Sequence, residues 1–153
     1  MANGKTNKYP RFYDLSFYTS DELVHLWSSA EGMEYQGLMA AALMDEKTHF
    51  TVISRMVDDP MDVLSGNNIN WPMANLTENI LLSIIPMVDV SQSGGALLVL
   101  GWIQWVRGRL DLAMNSFQTI EEDTNYKSAL TYVISRKVAA GVQPAVLLEK
   151  VEA

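Results

Sequence analysis

The run LLVLGWIQWVRGRLDLAMNSFQTIEEDTNYKSALTYVISRKVAAGVQP, Leu97 to Pro144, reads as three consecutive helices. The first, over about 95–107, is apolar and stops at Gly108. Its core, Ala96 to Val106, is interrupted only by Gly101 and Gln104, with two glycines before it and Arg107 after it. That is short of the roughly 18–20 apolar residues a membrane span needs, so it reads as a buried helix. The second helix, 109–122, gathers Leu110, Ala113, Met114, Phe117 and Ile120 on one face. The third, 126–140, gathers Leu130, Val133, Ile134 and Val138, and Gly141 supplies its C-cap. Pro144 then stands where the first turn of one more helix tolerates it.

Two resemblances attach to this run. Leu97 to Ile120 resembles a tetratricopeptide-type helix hairpin, with Gly101, Gly108, Ala113 and Phe117 at that repeat's small and aromatic positions. Small residues let two antiparallel helices approach, and the ring fills the groove between them. The repeat's usual proline after the second helix is absent, with Asp123-Thr124-Asn125 in its place. Only one such unit is present, whereas a solenoid needs about three. The longer run resembles the C-terminal part of an actinobacterial protein family of unknown function. The matching positions are Trp102, Trp105, Gly108, Ala113, Asp123, Tyr126, Gly141 and Pro144. The resemblance covers about a third of the chain well and residues 20–90 loosely. It implies an actinobacterial host, or a phage or mobile element of one, and carries no catalytic residue.

Working outward, Ser91-Gln92-Ser93-Gly94-Gly95 breaks the chain ahead of the buried helix. Before it, Glu78 to about Ile85 forms a helix capped by Thr77 or Asn75, and Pro86 kinks or ends it. Residues 65–76 (SGNNINWPMANL) read as a long loop. From Glu34 a helical period places Tyr35, Leu38, Met39, Ala42 and Leu43 on one face, continued by Phe50, Ile53 and Val57. That segment is one helix or two joined near Asp45, with Asp59-Pro60 beyond its end. Thr19-Ser20-Asp21-Glu22 is a capping box opening a helix to about Glu31, and Gly32 stops it. Residues 1–18 form an aromatic and basic arm. Tyr9, Phe12, Tyr13, Phe17 and Tyr18 are too apolar for a free tail, and docking buries rings worth about 1.5–3 kcal/mol each. These five are the candidate partner-binding residues. No period-2 run is bounded by a hairpin turn. The expected fold is therefore all-α: a single helical domain over 19–153, of seven or eight helices, behind the arm.

Composition narrows function. The 153 residues are 48% apolar and 19% charged, values of a globular chain with one core. There is no cysteine, which removes disulfides and thiolate metal sites and fits a reducing cytoplasm. Met1 to Tyr9 lacks the apolar core of a signal peptide. The net charge of −7 disfavours sequence-independent nucleic-acid binding. It is uneven: Lys5, Lys8, Arg11 and Asp14 leave the first 19 residues at +2 and the body at −9. Such an arm folds back on the body or reaches a second copy of it.

The chemical signal to weigh is a pair of Glu-x-x-His motifs, Glu22–His25 and Glu46–His49. Both residues of such a pair reach one ion from a helix, and di-iron bundles use two of them. Here the two face differently. At about 100° per residue, Glu46 and His49 fall within the apolar stripe of Leu38, Ala42 and Ile53. His25 lies opposite Leu23, Trp27 and Ala30, and Glu22 already serves the capping box. A shared metal centre is thus disfavoured, and Glu46 with His49 are the only metal candidates. A helix break near Asp45 would return Glu46 to solvent; otherwise the pair is buried and satisfied. No P-loop, Rossmann glycine pattern or nucleophile elbow is present. Trp102 and Trp105 read as core, with a ligand platform the alternative. The nine methionines read as core filling, with an adaptable binding surface the alternative.

The sequence therefore points to a non-enzymatic protein-interaction module, cytoplasmic, without cofactor, acting on a protein partner or on itself. One alternative is an acidic phage or mobile-element inhibitor that occupies a nucleic-acid site on its target. Another is a metal-dependent enzyme using Glu46 and His49.

Overall fold

The computed structural model describes residues 46–144, and among them six α-helices follow one another. The arm, the first capping box, the motif at Glu22–His25, residues 34–45 and any helix after Pro144 lie outside the described residues. The one extended pairing within them is a single antiparallel bridge, Val57 with Ile69. The fold class is all-α, as the periodicity predicts.

α1 (Glu46–Ser54) buries His49, Val52 and Ile53, and Met56 follows on the same line just past its end. Phe50 was expected on this face, yet it is 40% exposed. His49 and Ile53 are a turn apart and define the core line, and Phe50 is one residue, about 100°, off it. The helix ends at Ser54, short of Val57, because the chain turns into the bridge. Asn70 N–H donates to the Met56 carbonyl at 2.7 Å and Asp58 N–H to that of Asn68 at 3.2 Å.

A short α2 (Asp62–Ser65) follows, closed by Gly66 at φ +68°. A Cβ there would also come within 2.5 Å of the Pro144 Cβ, so close approach demands glycine as much as the backbone does. α3 (Trp71–Ile84) begins inside the stretch that reads as a loop. Its cap is Asn70, whose side chain accepts the Met73 N–H at 3.2 Å, rather than Thr77 or Asn75. Pro72 stands in its first turn, where a missing N–H costs nothing. At the other end Pro86 lies in a 3₁₀ turn, Ile85–Met87, and a second such turn, Val90–Gln92, leads into the next helix.

α4 (Gly94–Val106) is the centre: all thirteen of its residues are buried. α1, α3, α5 and α6 pack around it. Trp102 and Trp105 are core, as expected, and each indole satisfies its N–H: Trp102 to the Val63 carbonyl at 2.8 Å, Trp105 to that of Val142 at 2.9 Å. After Gly108, at φ +79°, the chain reverses into α5 (Leu110–Asp123). The α4–α5 interface is the largest between the described helices. A Cβ on Gly101 would lie 2.9 Å from the Phe117 ring, so that glycine admits the ring. One polar pair sits in this interface, where the Ser116 hydroxyl donates to Gln104 Oε1 at 2.7 Å with both residues buried. α6 (Ala129–Ala139) starts at Ser128, whose hydroxyl accepts the Thr131 N–H at 3.1 Å. It ends before Gly141, at φ +72°. Arg107 locks α3 to the α4–α5 turn: it meets Glu78 at 3.2 Å, donates to Asn75 and covers the Trp71 ring at 5.2 Å.

Candidate functional site

α5 and α6 are antiparallel neighbours that diverge enough to leave an open groove of about 710 Å³. The cause lies in their outward residues. α5 turns Ala113, Phe117 and Ile120 toward α4, and α6 turns Leu130, Ile134 and Val138 inward. The residues next to these stripes face the groove: Met114, Gln118 and Glu121 on one wall, Thr131, Tyr132, Ser135 and Arg136 on the other. Met114 and Val133 were both expected in the core. Met114 is instead 39% exposed in the groove, and Val133 is 36% exposed. Each helix packs on α4 along one narrow stripe, so the edge of its apolar face is left over.

The connection Thr124–Ser128 closes one end of the groove. Thr124 folds it: its hydroxyl donates to the Ile120 carbonyl at 2.6 Å and accepts the Tyr126 N–H at 3.1 Å. Tyr126 is thereby pressed against the first residue of α4, where a Cβ on Gly94 would lie 2.3 Å from the Tyr126 Cβ. Its hydroxyl shares a hydrogen bond with His49 Nδ1, and the rings meet edge to face at 5.7 Å and 76°. His49 is fully buried. A histidine from α1 and a tyrosine 77 positions further on thus join beneath the groove's closed end.

Charge is sorted between the walls. α5 carries Asp111, Glu121, Glu122 and Asp123 and no Lys or Arg, whereas Lys127 and α6 carry Lys127, Arg136 and Lys137 and no Asp or Glu. Among the described residues none of these seven charges makes an ion pair; the pairs there join Glu78 to Arg107 and Arg109. Arg136 lies over the Tyr132 ring at 5.1 Å and Lys137 over that of Trp105 at 5.9 Å.

Comparison with protein-family models, with curated proteins and with solved structures gives no match to this chain. The residues therefore speak for themselves. Of the metal candidates, His49 is in the core with Nδ1 committed to Tyr126, and Glu46 is the first described residue of α1, its side chain outside the described residues. Among the described residues no three His, Cys, Asp or Glu side chains gather where they could hold an ion. No helix there is long and apolar enough to cross a membrane. The candidate partner residues Tyr9, Phe12, Tyr13, Phe17 and Tyr18 lie outside the described residues. Sequence reasoning missed the groove itself and Tyr126 as a site residue. The signal it had was the opposite charge of two adjacent helices.

Proposed function

We propose that this domain is a non-enzymatic protein-interaction module, and that its working surface is the groove between α5 and α6. The observation that carries the reading is the composition of the groove: a floor of Phe117, Ile120 and Val138, half-exposed Met114 and Tyr132, and rim charges without ion-pair partners among the described residues. An apolar centre inside a polar rim is the anatomy of a protein-binding surface, and Tyr and Met are residue types that such surfaces favour. The absence of cysteine fits a reducing compartment, and we take the protein to act in the cytoplasm.

The alternatives find less support. An inhibitor imitating nucleic acid would present an acidic face free of bases. The exposed Glu121, Glu122 and Asp123 instead stand beside Lys127 and the basic α6, and the cluster after α1 is engaged in its own turn: Asp59 accepts the Met61 N–H at 2.9 Å, and Asp62 accepts from Asp59 N–H at 3.2 Å and Asn68 at 3.3 Å. A metal enzyme would need His49 to leave its core position.

The test is a photo-crosslinking residue at Tyr132 in the full chain, expressed in an actinobacterial cell, with the same residue at exposed Leu82 of α3 as control. A discrete protein adduct at position 132 that is absent at 82 is the expected result. No adduct at 132, or the same smear from both positions, rejects the reading.

A further inference from the structure

We infer that the partner seated on the α5–α6 face is a second copy of this chain, related by a two-fold axis running along the groove. The inference rests on the interaction-module reading above and names its partner.

The charges choose both the partner and the axis. Glu121, Glu122 and Asp123 occupy the last turn of α5, the end of a helix where the aligned peptide dipoles disfavour negative charge. All three are exposed, and none makes an ion pair among the described residues. Beside them, Lys127 and α6 carry only positive charge. A surface that holds one acidic and one basic helix side by side is complementary to itself after a half-turn.

Two arrangements lay one helix pair on another. An axis perpendicular to the helices sets α5 on α5 and α6 on α6, acid on acid and base on base. An axis parallel to them sets α5 on α6 of the partner subunit. Glu121 then faces Lys127 of the partner subunit at one end of the groove. At the other end Asp111 faces Arg136 of the partner subunit. Helix directions are kept by this rotation, so every neighbouring pair among the four helices is antiparallel, the usual geometry of a four-helix bundle. Met114 and Tyr132 of both copies meet at its centre. The interface is isologous, and every contact occurs twice. Two helices of 14 and 11 residues offer a face at the small end of specific interfaces, so the dimer should form and dissociate with concentration and weaken with salt.

The test uses the full chain and two single variants, Glu121→Lys and Lys127→Glu, both at exposed positions. Mass is followed by sedimentation velocity over a wide concentration series. Wild type should pass from monomer to dimer. Each variant alone places like charges opposite one another twice, and its association should weaken by about tenfold or more. Mixing the two variants restores opposite charges at both contacts, so the mixture should dimerise as wild type does. Each change also puts the charge that the helix dipole prefers at its helix end. At a concentration where wild type is monomeric, neither variant should therefore melt below it, which separates lost association from lost folding.

A wild type that stays monomeric throughout overturns the inference. So does a dimer indifferent to both variants, which would place the contact elsewhere, for instance on the aromatic arm. If the chain is monomeric while position 132 still crosslinks a different protein, self-docking fails and the interaction surface stands. If neither is seen, both fail.

Discussion

Two glycines and a hydrogen-bonded pair carry the strongest demands at the level of single residues. Gly101 and Gly94 both lie in α4, where alanine is ordinarily better than glycine by about 1 kcal/mol. At Gly101 the new methyl would meet the rim of the Phe117 ring at 2.9 Å, and a ring can tilt. At Gly94 it would meet the Tyr126 Cβ at 2.3 Å, an atom fixed to the backbone. Gly101→Ala should accordingly cost about 1 kcal/mol, and Gly94→Ala clearly more, about 2–3 kcal/mol, by the overpacking that buried methyls cause. Urea denaturation measures both, and equal losses would refute the distinction. Tyr126→Phe takes the hydroxyl away from His49 Nδ1 without changing shape. A buried polar atom that loses its partner costs about 1–3 kcal/mol, and the same denaturation should show it.

At the level of helices, α4 and α5 are held in register by Ser116 and Gln104 inside an otherwise apolar contact. Gln104→Leu strands the Ser116 hydroxyl and should destabilise by about 1–2 kcal/mol, while Gln104→Leu with Ser116→Ala should recover most of the loss. If the double variant is as unstable as the single one, packing rather than the hydrogen bond governs that site. This same hairpin was the most legible part of the chain. α4 to α6 begin and end within about three residues of where periodicity and the glycines at 108 and 141 put them. α3 was misjudged because Trp71-Pro72 reads as a breaker. Proline in a first helical turn is in fact compatible with it, and the cap was the Asn just ahead. Phe50, Met114 and Val133 show the other limit. Periodicity gives a face about 100° wide, and only the neighbouring helix decides which part of that width it covers.

At the scale of the whole molecule, the site was far less readable than the fold. The meeting of His49 with Tyr126 spans 77 positions and depends on α1 packing against α4 near the α5–α6 connection, which no local pattern records. The groove arises from two helices each docking on α4 along a narrow stripe, so it belongs to neither helix alone. Charge sorting was present in the letters from the start: LDLAMNSFQTIEED has no base and ALTYVISRKVA no acid. It gains meaning only once those helices are known to lie side by side, and the expected salt-sensitive self-association is its consequence at this scale.

The complete burial of α4 has a further implication, for motion. Among the described residues four helices, α1, α3, α5 and α6, pack directly on it, and all of its residues are buried. It therefore cannot fray or breathe by itself, since its amides reach solvent only when its neighbours come away together. Among the described residues loosening should begin at the rim, in α2 or the α5–α6 connection, and either stop there or take the helices packed on α4 with it in one cooperative step.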